Sequence, residues 1–132
     1  MNNYEIIFKD WWYANPPISL AAKAALLDLM GGKLPHDYLD FLEWSDGGEG
    51  DTGVIYITLW KSEDLQRLNE GYDIEGFLPG SIAIGDDGPN FIFFDVEKQI
   101  CRTPFGYGRD DLVEVLAPGF AEFCNRIKAI DQ

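Results

Sequence analysis

Residues 77–105 read FLPGSIAIGDDGPNFIFFDVEKQICRTPF, and this stretch decides the fold because its apolar side chains recur with a period of two. Two turn signals, DDGP at 86–89 and EK at 97–98, separate three runs that we expect to be strands over 81–85, 91–96 and 99–103. Turns this short join neighbouring antiparallel strands. The stretch therefore predicts an antiparallel meander.

The segments around the meander alternate between helical and strand patterns. NPPISLAAKAALLDLMGG at 15–32 predicts a helix that Ser19 caps, with its leucines and Met30 on the core side. A second helix is expected to start at Leu34-Pro35 and a short third one at a capping Ser62. GVIYITLW at 53–60 is apolar on both faces and predicts a central strand, and 110–116 predicts a further short one.

The C-terminal segment APGFAEFCNRIKAI predicts a helix with one apolar stripe, formed by Phe120, Phe123, Cys124, Ile127 and Ile130. A meander with one apolar face needs helices to cover it. We therefore predict a single α+β domain, in which helices cover an antiparallel sheet of about four to six strands.

The segment SDGGEGDTG at 45–53 interrupts this alternation with four glycines and three acids. Residues 48–53 match G-x-G-x-x-G, but a dinucleotide site needs a strand before the glycines and a helix after them, and here the order is reversed. Its carboxylates would also repel a pyrophosphate. We interpret the segment as a helix stop and a turn, with Gly47 or Gly48 in a left-handed conformation.

Composition limits the function classes. The chain has 132 residues and is 46% hydrophobic, which suits one domain with a real core. It carries 23 acids against 10 bases, a net charge of −13, and the excess lies after residue 34. This disfavours nucleic acid and anionic membranes as direct partners. With no signal-like start or long apolar run, we expect a cytoplasmic protein. As a separate expectation, the protein is a monomer or a weak homodimer.

Cofactor and metal chemistry have few ligands to use. Cys101 and Cys124 are expected to be apolar fillers, and His36 is the only histidine. Acidic loops offer hard oxygens, but neither has the spacing of a calcium-binding loop. We predict no metal and no cofactor.

Three motifs occur in an informative order: LPHDYLDFLEWSDGG at 34–48, ITLWKSEDLQRLNEGY with LPGSIAIGDDG at 57–88, and APGFAEFCNRI at 117–127. With this order and spacing the chain resembles the SUKH superfamily, the Smi/Knr-type domain of bacterial immunity proteins and fungal cell-wall regulators. The resemblance covers about 34–130, and we assign residues 34–132 to the SUKH-like domain. Residues 1–33 form an aromatic arm and first helix, which we assign to the same domain either as a packed layer or as a recognition arm.

The resemblance implies binding rather than catalysis. Related domains neutralise a cognate toxin, and many such toxins are nucleases or deaminases with basic clefts, so an acidic protein suits them. The alternative is a regulatory interaction module without a toxin. A hydrolase using paired carboxylates is a weaker reading, because 23 acids produce pairs by abundance and a single histidine limits base catalysis.

The predicted partner-binding site is an acidic rim with a tryptophan anchor inside it. The alternative for the tryptophan is that it turns into the core. The predicted residues are Asp37, Asp40, Glu43, Trp44, Asp46, Glu49, Asp51, Asp86 and Asp87.

Overall fold

The computed structural model of the protein describes residues 3–105 and 112–131. In this part of the chain the strands are β1 (Trp12–Ala14), β2 (Gly48–Asp51), β3 (Tyr56–Leu59), β4 (Ile82–Asp86), β5 (Asn90–Phe94), β6 (Ile100–Pro104) and β7 (Glu114–Ala117). The α-helices are α1 (Asn3–Ile7), α2 (Leu20–Met30), α3 (His36–Trp44), α4 (Ser62–Gly71), α5 (Ile74–Phe77) and α6 (Phe120–Asn125). Short 3-10 turns follow α2 at Gly31–Lys33 and α6 at Ile127–Ala129.

The seven strands form one sheet in the order β1 to β7, and every neighbouring pair is antiparallel. The predicted α+β class, single domain and meander over β4, β5 and β6 are confirmed. The strand number exceeds the predicted four to six because β1 comes from the aromatic arm and β2 from the glycine segment. The predicted short strand at 110–116 is present as β7, although residues 110 and 111 lie outside the described ranges.

The interpretation of the glycine segment as a turn throughout is wrong. Gly48–Asp51 is a strand, paired on one side with β1 and on the other with β3. A Cβ on Gly48 would lie 2.5 Å from the Trp12 indole nitrogen, and one on Gly50 would lie 2.4 Å from the Trp11 carbonyl oxygen. The glycines thus let the tryptophan segment approach closely, and their sequence signal hides the strand.

Helices cover the two faces of the sheet. On one face α3 and α6 pack over β5, where the Phe94 ring contacts Tyr38 and Phe120 at 5.3 and 6.3 Å between centroids. On the other face Tyr72, at the end of α4, packs against Phe91 of β5, with their ring centroids 5.0 Å apart. The core therefore lies on both sides of β4 to β6.

The aromatic arm packs as a layer of this domain. Phe8 is buried, and its ring lies against Trp11, Trp12 and Phe41 at 4.9 to 5.5 Å. Trp12 then starts the edge strand β1. These contacts agree with the prediction that residues 1–33 pack as a layer, and not with a separate recognition arm.

Helix α2 starts and ends as predicted, with the Ser19 hydroxyl accepting from the Ala22 N–H at 3.0 Å. Its predicted core face is wrong. Within α2 only Leu26 is buried, whereas Leu20 is 88% exposed and Leu29 is 58% exposed. The helix rests on the domain along one narrow strip, which leucine spacing alone does not reveal.

The stripe predicted for the last helix is confirmed, since all five of its side chains are buried. The α-helix itself is shorter than expected. Ile127 lies in the 3-10 turn that follows it, Ile130 comes directly after that turn, and both side chains reach the core. In the described ranges, none of the helices has both the length and the apolar character that crossing a membrane would require.

Candidate functional site

Asp46 holds two elements of the fold together. Its carboxylate accepts hydrogen bonds from the backbone N–H and the hydroxyl of Ser62, at 2.8 and 3.0 Å. The predicted capping role of Ser62 in α4 is wrong, because Ser62 occupies the first helical position and Asp46 satisfies its N–H instead. Asp46 therefore has a structural task that limits its availability to a partner.

Asp87 lies in a buried ion pair. It is 8% exposed, and its Oδ2 accepts from the Arg102 guanidinium at 3.1 Å while its Oδ1 accepts from the Asn90 N–H at 3.0 Å. Glu114 accepts from the same guanidinium at 2.6 Å. The Asp87 carboxylate serves the turn between β4 and β5 and contributes almost nothing to the surface.

Asp86 and Asp51 also make turn contacts but remain accessible. Asp86 accepts from the Trp60 indole N–H at 3.1 Å and from the Gly88 N–H at 3.1 Å. The exposed Asp51 accepts from the Gly53 N–H at 2.8 Å. Such hydrogen bonds from the backbone two residues on to an aspartate are how turns use this residue.

Glu49 and Asp51 belong to a bare part of the sheet. Cross-strand register places Glu49 between Tyr13 and Thr58, and Asp51 opposite Tyr56. Residues opposite each other share a face, so these five side chains lie together. We call this surface, formed by Tyr13, Glu49, Asp51, Tyr56 and Thr58, the open sheet face. Tyr13 is 72% exposed there and Tyr56 is 46% exposed.

Tyr13 and Tyr56 lie close to the acidic side chains of this face. Loss of hydration raises the pKa of Tyr56, and the nearby negative charge of Glu49 raises this pKa further. A groove of about 460 Å³ continues from Tyr13 and Glu49 to the first turn of α4, where Glu63 and Asp64 lie. The open sheet face thus combines flat aromatic surface with several carboxylates.

The α3 residues lie on the other side of the sheet. Trp12, Gly50 and Ile57 are in register and alternate with Tyr13, Glu49 and Thr58. The Trp12 ring contacts Phe41 of α3 at 6.3 Å, which identifies its face as the one that α3 covers. The accessible residues of the predicted set therefore divide between two opposite surfaces and do not form one rim. Their role in partner binding stays a prediction.

On the α3 surface, Asp37 ties two helices by accepting from the Ala121 N–H at 2.9 Å. Asp40 is exposed, and Glu43 pairs with Lys23. Trp44 is half-buried, with its ring 5.8 Å from those of Phe8 and Phe41 and 6.4 Å from that of Tyr4. It is neither the projecting anchor nor the fully buried side chain of the two sequence-based alternatives.

Three aromatic residues at these surfaces, Tyr4, Tyr13 and Tyr56, are absent from the set predicted from the sequence. The exposure of Tyr56 is predictable from the sequence, because Thr58 two positions later is polar and marks a solvent-facing side of that strand. Tyr4 and Tyr13 have none, since only tertiary packing decides which aromatic residues of a rich segment stay exposed.

The remaining titratable candidates do not build a reactive centre. Among residues 3–105 and 112–131, no three His, Cys, Asp or Glu side chains are arranged to hold a metal ion. Cys101 and Cys124 are buried free thiols. Burial raises the pKa of Cys101 to about 12 and that of Cys124 further. Both thiols are therefore protonated at neutral pH and act as packing groups.

No individual curated protein matches the sequence. The model of the SMI1 / KNR4 family (SUKH-1) matches residues 17–126, which takes in α2 and all the strands after β1. The match begins upstream of Leu34, where the sequence motifs begin, so α2 is part of the family's domain. Because the match spans most of the chain, this protein belongs to the SMI1 / KNR4 family (SUKH-1).

Proposed function

We propose that this chain is a non-catalytic, protein-binding immunity protein that neutralises a basic toxin domain. The observation that carries the proposal is the open sheet face, an uncovered part of the sheet in which two exposed tyrosines lie among carboxylates. Family membership supports a binding role of this class. Cytoplasmic location and action without a cofactor are parts of the same proposal.

The tyrosines suit recognition of a protein. Their rings offer apolar area with a polar tip, and they lose little conformational freedom on binding because they have few rotatable bonds. Tyr13 and Tyr56 stand on strands that both pair with β2, so the sheet fixes the backbone positions from which both rings project. A rigid surface loses less entropy on binding than a loop does.

The charge suits a basic partner. The chain carries a net charge of −13, and Glu49 and Asp51 place carboxylates beside the tyrosines. Opposite potentials speed association by about 10-fold to 1000-fold and act against acidic partners. A nuclease or deaminase cleft, which must hold a phosphate backbone, has the required positive potential.

A growth assay tests the proposal. The chain is co-expressed with a panel of basic nuclease and deaminase domains that arrest growth, either as the wild type, as Tyr13→Ala/Tyr56→Ala, or as the matched control Val96→Ala. Val96 is 70% exposed in the turn between β5 and β6. The wild type and the control are expected to protect, and the double variant is expected not to, at unchanged melting temperature. Full protection by the double variant would contradict the proposal.

The regulatory alternative predicts a different result. A regulatory interaction module would bind basic proteins through the same face yet give no protection against these toxin domains. No contact in the described ranges favours this alternative over immunity. The assay separates the two classes, because only immunity predicts growth rescue.

A further inference from the structure

A pocket of about 460 Å³ lies between α1, α3 and α6, away from the open sheet face. Its walls include Tyr4, Ile7, Asp40, Glu43, Trp44 and Asn125. We call it the α3 pocket. Aromatic rings and carboxylates together are a combination that attracts organic cations.

The aromatic wall is held in place before any ligand arrives. The rings of Tyr4 and Trp44 are stacked, with an angle of 24° between their planes. The Tyr4 hydroxyl donates to the Asp37 carbonyl at 2.8 Å, and Phe41 supports both rings, with centroids 5.3 and 5.8 Å away. Because both rings are already held in place, little conformational entropy would be lost when a cation binds against them.

The carboxylates leave acceptors free beside those rings. Asp40 is exposed and makes no hydrogen bond or ion pair within the described part of the chain. Glu43 accepts from Lys23 through Oε1 only, so Oε2 has no partner within the same ranges. Burial raises the pKa of Tyr4, and the nearby charges of Asp37 and Asp40 add to the effect. The pocket therefore has negative potential and a neutral phenol.

We propose that the α3 pocket binds one arginine side chain of a partner protein. A guanidinium is flat, so it can stack on an aromatic ring while its N–H groups donate to carboxylates. A lysine ammonium lacks this planar geometry. Trp44 then acts as a wall that receives a partner's cation, and not as an anchor inserted into the partner. The proposal goes beyond the proposed function, because the pocket lies across the sheet from the open sheet face.

Lys23 acts as an internal competitor in this arrangement. Its ammonium already neutralises part of the charge of Glu43, and both side chains are partly exposed. Removing it in Lys23→Met should strengthen binding of a guanidinium by about two-fold to five-fold, the range typical of an exposed ion pair.

Titration by NMR tests the pocket directly. The probes are N-acetyl-arginine amide, its neutral isostere N-acetyl-citrulline amide, and N-acetyl-lysine amide, and the signal is the Trp44 indole N–H resonance. The arginine probe is expected to give a saturable shift with a Kd of about 1–10 mM, as for one side chain in a small pocket. The citrulline probe is expected to give none, and the lysine probe a weaker response.

Two double variants provide the matched comparison. Asp40→Asn/Glu43→Gln should weaken arginine binding at least about ten-fold. The control Asp28→Asn/Glu97→Gln removes two exposed acids of α2 and the β5–β6 turn and should change nothing. Equal shifts with citrulline, tighter binding of lysine, or unchanged binding by Asp40→Asn/Glu43→Gln would overturn the proposal. Tyr13→Ala/Tyr56→Ala should retain the arginine response, so failure here is separable from failure of the open sheet face.

Discussion

The carboxylate of Asp46 bridges to Ser62, accepting from its N–H at 2.8 Å and from its hydroxyl at 3.0 Å. The segment that ends α3 thereby satisfies the start of α4, 16 residues later. Within the same loop, the Ser45 hydroxyl donates to the Gly47 carbonyl at 2.6 Å. The loop is a structural joint as well as a source of acidic charge.

Replacing Asp46 should therefore destabilise the fold. Asp46→Ala leaves the buried Ser62 without its acceptor and should lower the free energy of unfolding by about 1–2 kcal/mol. Asp46→Asn keeps an acceptor oxygen and should lose less. Urea unfolding monitored by tryptophan fluorescence gives the values, with the exposed Asp28→Ala as the control. Equal stability of Asp46→Ala and the wild type would show that the bridge contributes nothing.

A second prediction concerns the buried pair of Arg102 and Asp87. Arg102→Met leaves the Asp87 carboxylate buried without its cation and should cost about 3–5 kcal/mol in unfolding free energy. Adding Asp87→Asn should recover part of the loss, because the unpaired charge is gone. Arg67→Met, at the exposed pair with Asp64, should change stability by less than about 1 kcal/mol. Similar effects of the two arginine variants would contradict the buried network.

Gly47 provides a third prediction. Its φ is +75°, in the left-handed region, and a Cβ there would lie 2.5 Å from the Leu59 carbonyl oxygen. Gly47→Ala should therefore lower the unfolding free energy by about 1–3 kcal/mol. A Cβ on Gly32 would meet no atom within 4 Å, so Gly32→Ala should be neutral or slightly stabilising. In urea unfolding, Gly47→Ala should have a lower midpoint than Gly32→Ala. Equal midpoints would show that the left-handed conformation and close contact of Gly47 do not matter for stability.

The buried thiols predict loss of stability at high pH. The folded-state pKa of Cys101 is raised from 9.0 to about 12, so the unfolded chain releases this proton first. The contribution of the Cys101 thiol to the unfolding free energy is fully present below pH 9.0 and is lost as the pH rises toward about 12. The slope for one such group is at most about 1.4 kcal/mol per pH unit. Cys101→Ala should reduce the measured slope between those pH values, and an unchanged slope would show that Cys101 does not titrate on unfolding.

The sequence predicted the parts of the fold that local pattern controls. The period-two runs and turn residues of the meander, the Ser19 cap of α2 and the buried stripe from Phe120 to Ile130 all depend on near neighbours in the chain. Strands β1 and β2 depend instead on close contact between Gly48 or Gly50 and two tryptophans more than 30 residues away. Glycine there signals a loop locally although the fold uses it for a strand.

The same distinction explains the candidate site. Counting acids identifies Asp40, Glu43, Glu49 and Asp51 as charged surface, but it cannot assign them to opposite faces of a sheet. That assignment follows from the register of β1, β2 and β3. Asp46 and Asp87 resemble the others in sequence and differ only through partners, Ser62 and Arg102, that are distant in the chain.

The central claim is that the open sheet face docks a basic protein, and the association rate with a basic toxin domain that the chain neutralises tests it most directly. Stopped-flow measurements would compare the wild type, Glu49→Gln/Asp51→Asn and the control Asp28→Asn/Glu97→Gln at about 0.05 and 0.5 M salt. We predict that the association rate constant of the wild type falls at least about ten-fold between low and high salt. At low salt, Glu49→Gln/Asp51→Asn should associate more slowly than the wild type, whereas the control variant should associate at the wild-type rate. Equal rates for the two double variants, or a rate insensitive to salt, would contradict the claim.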